Sequence, residues 1–277
     1  MRVRDLLPGF KRVRVEVALT PVPFEDYTAK LVKSFLSCVD DDFAKIFSVE
    51  GGYKEFHITP LLDEEGRAIY PKRTVKCSFC TAGRPSGKGV VPLPPNASFE
   101  LSGPEELVNK LFSFDYCKLE FGRKVIEIET VAVEEVDLDL GEGSGLWVKF
   151  RGPAVLRDPW RGPGEELRTR FLPSPSHLFS VNAYSLFKDK YLEVLWKLER
   201  SLVEDHSALH SAGKVWYYYD RKWLPALSGS ALFWVREADE DVKKVIAHAA
   251  LFGVGSGRAA GFGDVVMNFV RGPHVRS

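Results

Sequence analysis

The residues best suited to chemistry lie in one segment of eleven residues, Gly253-Val-Gly-Ser-Gly-Arg-Ala-Ala-Gly-Phe-Gly263. Five glycines in eleven residues cost more conformational entropy than an ordinary loop tolerates, so the pattern indicates that bare main chain must lie close to something. Consecutive backbone N–H groups in such a loop form a concavity that binds anions, and an arginine adds a full positive charge. We therefore predict an anion-binding site formed by Gly253, Gly255, Gly257, Arg258, Gly261 and Gly263.

Two better-known phosphate-binding motifs are excluded by their surroundings. Residues 255–260, Gly-Ser-Gly-Arg-Ala-Ala, match the dinucleotide-binding fingerprint, but that motif follows a strand and opens a helix. Here a predicted helix precedes the glycines and a predicted strand follows them. Around Lys88, the run Gly-Arg-Pro-Ser-Gly-Lys-Gly lacks the spacing of a P-loop and the hydroxyl residue that follows its lysine.

Charge is distributed unevenly along the chain, although 38 basic and 38 acidic residues give a formal net charge of zero. That balance excludes a uniformly basic nucleic-acid-binding protein, but phosphate responds to the local field rather than to net charge. Residues 66–99 contain six basic residues and no acidic one, whereas residues 127–142 contain seven acidic residues and no basic one. We predict that the basic segment binds polynucleotide phosphates through Arg73, Lys76, Arg84 and Lys88; a solvated surface hairpin is the alternative.

Two other clusters have both a functional and a structural interpretation. Residues 214–223, Lys-Val-Trp-Tyr-Tyr-Tyr-Asp-Arg-Lys-Trp, suit base stacking and phosphate binding, but alternating aromatics also build ordinary sheet cores. Cys77-Ser-Phe-Cys80 has the spacing of half a zinc site, yet Cys38, Cys117 and isolated histidines supply no matching second pair. We therefore predict no metal ion and no other cofactor.

Length and composition set the class of protein. With 277 residues, of which 45% are apolar, the chain is long enough for two ordinary domains with buried cores. No stretch approaches eighteen consecutive apolar residues, and the basic segment 1–14 is not followed by an apolar run, so neither a membrane span nor a signal peptide is predicted. Four scattered cysteines are too few for a disulfide scaffold, and the predicted location is the cytoplasm.

The predicted elements follow the order strand, helix, strand, strand, helix, strand, and this order occurs twice. The first set comprises a strand at 13–22, a helix opening at Pro23, a short helix at 41–47, strand 54–61, a hairpin-like region at 66–95, strand 98–101, a helix from Ser102 to Phe112, and strands flanking residues 121–123. The second set comprises strand 146–156, helix over most of 175–202, strands 214–219 and 231–236, helix 239–251 and strand 264–270.

This order is the split βαβ pattern of ferredoxin-like, RRM-like domains. We therefore predict an α+β fold of two tandem ferredoxin-like domains with a cleft between them. The glycine-rich residues 141–145 are the best linker candidate, which places the domains at 1–141 and 142–277.

A known family shares these features. Gly-x-Gly, five residues and a second Gly-x-Gly, behind a duplicated ferredoxin-like pattern, resemble the signature of the RAMP superfamily. Within it, the chain resembles the CRISPR-associated Cas6 endoribonucleases over nearly its whole length. The supporting segments are Pro23-Phe-Glu-Asp-Tyr27 with the helix after it, residues 143–155 at the entry to the second half, and Phe-Leu-Pro-Ser-Pro-Ser at 171–176.

The resemblance implies a metal-independent endonuclease that binds CRISPR repeat RNA in precursor transcripts and cuts it to give guide RNAs. In this chemistry the ribose 2′-hydroxyl attacks the adjacent phosphate and leaves a 2′,3′-cyclic phosphate and a 5′-hydroxyl. The family's first-helix catalytic position falls on Lys33, its usual histidine on Ser48 and its following lysine on Lys54. Because the histidine is missing, the obvious general base is absent, and His57 is the fallback candidate.

Two other functions remain open at this point. A catalytically silent RAMP protein that binds guide RNA in a CRISPR effector complex is consistent with the missing histidine. A duplicated regulatory module whose glycine loop holds a small anion is a third hypothesis, although the basic segment argues against it. The sequence leaves open which repeat is cut, whether the RNA is a hairpin or an unstructured strand, and whether the chain forms a homodimer or binds other CRISPR-associated proteins.

Overall fold

The computed structural model describes residues 1–49, 54–74, 85–160 and 169–271. The first half of the chain forms both helices and strands. They are α1 (Val3–Leu6), β1 (Phe10–Leu19), β2 (Pro23–Phe24), α2 (Ala29–Val39), α3 (Asp41–Ser48), β3 (His57–Ile58), β4 (Lys72–Thr74), β5 (Val91–Pro92), β6 (Asn96–Pro104), α4 (Glu105–Val108), β7 (Tyr116–Phe121) and β8 (Lys124–Glu135).

The second half repeats this alternation with longer helices. Its elements are β9 (Gly145–Ala154), β10 (Leu156–Arg157), β11 (Thr169–Arg170), α5 (Pro175–Phe187), α6 (Tyr191–Ser201), β12 (Leu202–Glu204), β13 (Gly213–Tyr219), β14 (Lys222–Val235), α7 (Glu240–Phe252) and β15 (Val265–Val270). None of the helices in the described ranges is long and apolar enough to cross a membrane.

Each half contains an antiparallel sheet with the strand order of a ferredoxin-like domain. The first sheet runs β3-β6-β1-β8-β7, and the second runs β15-β9-β14-β13-β4, with β12 paired to β14. In the first sheet β1 lies between β6 and β8, and in the second β9 lies between β15 and β14, because the helical crossovers carry the chain over a neighbouring strand. The predicted fold of two tandem ferredoxin-like units is confirmed.

Local sequence patterns account for the core of each half. On β1, the alternate residues Val13, Val15 and Val17 are buried, as expected for a strand with one face on the core. Helix α2 covers this core with Leu31, Val32, Phe35 and Leu36, whose spacing places them on one helical face. Helix α7 starts where the Asp239 carboxylate accepts a hydrogen bond from the Val242 N–H at 2.9 Å.

Three predicted element boundaries are wrong, and a proline contributes to each. No helix opens at Pro23, which lies in β2 and pairs with β5; α2 begins only after Asp26, whose φ of 157° is incompatible with a helix. The predicted strand 54–61 forms a ladder only at His57–Ile58; Pro60, which has no N–H to donate, interrupts it before the pairing with β6 resumes at Leu62. Pro104 has an extended ψ of 136° and so continues β6, which shortens the helix predicted from Ser102 to α4 and a 3₁₀ turn.

Two segments cross between the halves. Strand β4 of the first half pairs with β13 and so extends the second sheet. Val3 and Leu7, at the start of the chain, belong to the hydrophobic core of the second half. The boundary between residues 141 and 142 remains a prediction; these crossings show that the two units are packed as one body rather than joined by the linker alone.

A disulfide joins Cys38, at the end of α2, to Cys117 on β7. Four scattered cysteines did not predict this single bond, which also removes Cys38 and Cys117 as candidate zinc ligands. Cys77 and Cys80 lie outside the described residues.

We expect reduction of this bond to lower the free energy of unfolding by about 2–4 kcal/mol, since the bridge links residues 79 positions apart and restricts the unfolded chain. Urea unfolding with and without reductant measures the effect. The Cys38→Ala variant is the control, because its unfolding midpoint should no longer respond to reductant. An equal midpoint for the oxidised and reduced wild type would contradict the prediction.

Candidate functional site

A cleft of about 590 Å³, called here the central cleft, lies between the two halves. Helices α2 and α3 of the first half and helix α5 of the second contribute to its lining. So do residues 255–260 of the glycine loop, which spans residues 253–263. The lining residues are Lys33, Phe47, Val49, Lys54, Val181, Tyr184, Lys188 and 255–260.

The lining of the central cleft is cationic. It includes three lysines and Arg258, and no described lining residue is acidic. Cations gathered in a concave surface with protein walls concentrate positive potential, which attracts a polyanion even when the whole protein is neutral. The acid-rich segment 127–142 contributes no residue to the described lining of the cleft.

The glycines of the loop are required by close packing within the protein. All five have positive φ values between 67° and 88°. At Gly261 an added Cβ would lie 2.3 Å from the Cβ of Ala29, and at Gly263 it would lie 1.8 Å from the Val254 carbonyl oxygen. The predicted close approach of bare main chain therefore exists, but at these positions its partner is the protein itself.

Most N–H groups of the loop donate to protein carbonyl groups. Ser256 donates to the Val155 carbonyl at 3.0 Å, and Gly263 donates to the Pro153 carbonyl at 2.9 Å. The N–H groups of Ala260, Gly261 and Phe262 donate within the loop. The anion-binding concavity expected from consecutive donors is thus much smaller than the sequence suggested, and the loop acts mainly by shaping the cleft.

Arg258 is buried rather than projecting. Its side chain is 5% exposed, and Nη2 lies 3.4 Å from the hydroxyl oxygen of Ser185 on α5. The expectation of an arginine reaching out to a phosphate is not met by this conformation. Its charge instead lies beneath the surface of the cleft, where it contributes to the potential and links the loop to α5.

Lys33 and Lys54 both line the central cleft. The Lys33 ammonium group sits 4.9 Å from the centre of the Phe47 ring, and Lys54 Nζ donates to the Ile46 carbonyl at 2.5 Å. Burial lowers the pKa of Lys33, and the nearby charges of Lys54 and Lys30 lower it further. Burial also lowers the pKa of Lys54. Both are half-buried cations with reduced hydration, so they interact strongly with an incoming anion.

The other two predicted catalytic residues do not line the central cleft. Ser48 is exposed at the end of α3, between lining residues, and its hydroxyl donates to the Lys45 carbonyl at 2.8 Å. His57 is fully buried, and its ring nitrogens lie 3.2 Å from the Arg258 carbonyl oxygen and 3.3 Å from Asp264 Oδ1. Burial lowers the pKa of His57 despite the carboxylate. This buried, neutral imidazole supports the glycine loop from beneath.

The described residues of the basic segment 66–99 lie away from the central cleft. Arg73, on β4, stacks its guanidinium 5.4 Å from the Trp223 ring centre, and Lys88 forms an exposed ion pair with Glu25 at 2.7 Å. Neither lines the central cleft. Lys76 and Arg84 fall outside the described residues.

The aromatic cluster 214–223 is largely structural. Tyr217, Tyr218 and Trp223 are all less than 10% exposed, and Tyr217 and Tyr219 pack against Phe262 of the glycine loop. The interpretation of this segment as an ordinary sheet core is confirmed for these residues.

Sequence reasoning missed the contribution of α5. Val181, Tyr184 and Lys188 follow the spacing i, i+3 and i+7, which places them along one face of this helix. That spacing is visible in the sequence, but no charge cluster or motif marks it. This face becomes a candidate for function only because the fold places it in the same cleft as Lys33.

A buried cluster of charges, also missed, joins the two halves behind the glycine loop. Arg12 of β1 donates to Glu100 at 2.7 Å and to Asp264 at 2.6 Å. Arg151 of β9 donates to both carboxylates, at 2.6 Å each. Two cations and two anions balance, with every side chain nearly excluded from solvent. We call these four residues the ion cluster.

The carboxylates of the ion cluster are held ionised. Burial by itself would raise the pKa of Glu100, but Arg12 and Arg151 outweigh it and lower the pKa to about 2. Burial opposes ionisation of Asp264 in the same way, and the two arginines together with His57 hold its pKa well below the ordinary value. At a pH between their folded and unfolded pKa values, Glu100 and Asp264 therefore bind protons in the unfolded chain but not in the folded protein.

We expect the free energy of unfolding to fall as the pH drops below about 4.5, the ordinary pKa of a glutamate, and to keep falling towards pH 2. The stabilising ionisation is complete above the unfolded-state pKa values and is lost as the folded carboxylates protonate. Urea unfolding between pH 6 and pH 2.5 measures the slope. The Glu100→Gln variant should show a shallower slope, and a wild-type stability that stays constant below pH 4.5 would contradict the prediction.

Comparison with known proteins identifies the fold. No protein-family model and no curated protein matches the sequence. Among solved structures, a Cas6 product complex aligns with a TM-score of 0.60 and 14% identity over 94% of this chain and 100% of that chain. An RAMP protein binding different RNA substrates aligns with a TM-score of 0.54 and 14% identity, covering 93% and 99%. A Cas6-related protein from Pyrococcus furiosus aligns with a TM-score of 0.54 and 12% identity, covering 94% and 98%.

These alignments define the class of fold. The tandem ferredoxin-like fold of this chain is similar to the fold of these structures over nearly its entire length. Its fold is like that of Cas6 in particular, so the resemblance inferred from the glycine pattern is confirmed at the level of the fold.

Proposed function

We propose that this chain is a Cas6-family endoribonuclease that binds CRISPR repeat RNA in precursor transcripts and cleaves it without a metal ion to give guide RNAs. The 2′-hydroxyl upstream of the cut loses its proton to water and attacks the adjacent phosphorus, the bond to the 5′-oxygen breaks, and that oxygen takes up a proton from water. The products carry a 2′,3′-cyclic phosphate and a 5′-hydroxyl.

One observation carries this proposal: the central cleft gathers four cations and no described acidic residue, between the halves of a Cas6-like fold. A cleft with that lining suits the phosphates of RNA. The structures that share the fold include a product complex and a complex with RNA substrates.

In this proposal Lys33 and Lys54 stabilise charge in the transition state. The phosphorane-like transition state carries more negative charge than the ground-state phosphate, and a poorly hydrated ammonium group interacts with it strongly. Lys33 on α2 and Lys54 approach the substrate from the first half, and residues 255–260 complete the surface beneath it. Arg258 adds positive potential from beneath this surface.

The test is to incubate the purified protein with RNA of the CRISPR repeat from its own genome in the presence of EDTA. We expect cleavage at one position, with a cyclic phosphate at the upstream product end. RNA with a 2′-deoxyribose upstream of that position should bind but stay intact, because the attacking hydroxyl is missing. Cleavage that requires added metal, or that proceeds on the 2′-deoxy RNA, would overturn the mechanism.

A second candidate is a catalytically silent RAMP protein that binds guide RNA in a CRISPR effector complex. The serine at position 48, where the family's usual histidine falls, favours it. The same experiment separates the two functions, since a silent protein binds repeat RNA without cutting it. A regulatory module for a small anion would instead bind RNA weakly, with no steep dependence of affinity on salt.

The proposed substrate also determines where we expect the protein to act and what it binds. The protein must meet newly made transcripts, so we place it in the cytoplasm as part of this proposal. Its principal partner is CRISPR repeat RNA; association with itself or with other CRISPR-associated proteins is a separate question that size-exclusion chromatography with and without RNA answers.

A further inference from the structure

We infer that the cleft-facing side of α5 forms a subsite for one unpaired nucleotide beside the cut, with Tyr184 stacking on its base and Lys188 contacting its phosphate. This inference rests on the proposed function and extends it, because it assigns the wall of the central cleft that faces Lys33. It also specifies the substrate: the nucleotide bound here must be unpaired and unstacked, since a base inside a helix has both faces covered by its neighbours.

Tyr184 has the exposure of a binding residue rather than of a core residue. Its side chain is 49% exposed although it lies in a cleft between packed halves, and it shares the lining with Val181 and Lys188. An aromatic ring presented to a cationic cleft stacks on any nucleobase, because every base has a π-face.

The ring is held in place before any ligand binds. The Tyr184 and Tyr191 rings meet edge to face, with their centres 5.4 Å apart and their planes at 86°. The helix itself is fastened to the glycine loop, because Asn182 Nδ2 donates to the Gly253 carbonyl at 2.9 Å and Ser185 contacts Arg258. A platform that does not need to be ordered on binding loses little entropy when a base stacks on it.

Lys188 supplies the positive charge next to the ring. Its Nζ lies 5.7 Å from the centre of the Tyr184 ring, and its backbone φ of 47° ends α5 in a conformation that non-glycine residues rarely adopt. A base stacked on Tyr184 would carry its own backbone phosphate into reach of this ammonium group. Lys33 and Lys54 then lie across the cleft for the neighbouring phosphate, the one that is cut.

The experiment measures equilibrium binding of fluorescent repeat RNA that cannot be cut because it has 2′-deoxyribose upstream of the cleavage position. We expect Tyr184→Ala to weaken binding roughly 5- to 100-fold, the range for loss of one base–aromatic stack. Tyr184→Phe keeps the ring and should recover most of that affinity. Lys188→Gln should weaken binding and reduce the slope of log Kd against log salt by about 0.7, the value for one phosphate contact on a single strand.

The matched control is Tyr116→Ala, which removes a tyrosine of similar exposure (51%) on β7, away from the cleft, and should bind as the wild type does. A thermal melt of each variant shows that it is folded. If the wild type cleaves and Tyr184→Ala binds no more weakly than Tyr116→Ala, the α5 subsite is disproved while the proposed function stands. If the wild type neither binds nor cleaves repeat RNA, the proposed function fails and the inference fails with it.

Discussion

The Lys33→Ala variant is expected to cleave repeat RNA roughly 10²- to 10³-fold more slowly than the wild type under single-turnover conditions, which is the usual cost of removing one group that stabilises charge in a transition state. Lys33 lies half-buried in the central cleft with its ammonium group over the Phe47 ring. A cation in that environment is poorly solvated by water, so its interaction with the developing charge on the phosphate is strong.

The loss should appear in the rate and not in folding. The contact between Lys33 and the Phe47 ring stabilises the protein by about 1–2 kcal/mol, so the variant should stay folded at the assay temperature. Lys33→Gln keeps the length of the side chain and removes its charge, and it should be as slow as Lys33→Ala.

The matched control for Lys33 is Lys45→Ala. Lys45 is a lysine of the neighbouring helix α3 that is 75% exposed and does not line the cleft. It should cleave at the wild-type rate. If Lys33→Ala cleaves within about twofold of Lys45→Ala at saturating protein, Lys33 has no catalytic role, whatever the family of the chain.

The Asp264→Asn variant is expected to lose about 3–5 kcal/mol of the free energy of unfolding. Asp264 is completely buried, and its carboxylate accepts hydrogen bonds from Arg12 and Arg151 at 2.6 Å. Its neutral replacement leaves two arginines facing the single charge of Glu100 in the interior. An uncompensated buried charge costs far more than the intact cluster contributes, so the effect exceeds that of any surface pair.

Chemical denaturation of Asp264→Asn and of a surface control measures this difference. Glu240→Gln breaks the exposed pair between Glu240 and Lys244 on α7, and it should change the unfolding free energy by less than about 1 kcal/mol. Because Asp264 directly follows the glycine loop, the first variant should also cleave RNA more slowly at temperatures where it is still folded. Equal stability of the two variants would show that the ion cluster does not hold the halves together.

Some features of this protein follow from patterns among neighbouring residues, and others only from contacts between distant ones. The alternation in β1, the apolar face of α2 and the cap of α7 are local, and each predicted element exists. The repeated order of elements predicted the duplicated fold. Through the family resemblance, Lys33, Lys54 and the glycine loop were expected in one site, and the structure brings them into one cleft.

Other features follow from contacts between residues that are distant in the chain. Arg12 and Asp264 are 252 residues apart, and no local pattern marks them as partners. The burial of Arg258 and His57 depends on how α5 and the first sheet close over the glycine loop. The strand pairing of β4 with the second sheet likewise crosses the halves.

By itself, then, the sequence determined the type of each long element, the duplicated ferredoxin-like order and the family to compare. Side-chain periodicity and turn chemistry are properties of neighbouring residues, so they can be read without coordinates. The tertiary structure decided which cations line the central cleft, which are neutralised in the interior, and that Tyr184 of α5 lines the same cleft as Lys33. Those outcomes depend on the packing of one half against the other, where burial and pairing of charge are settled by long-range contacts that no short segment encodes.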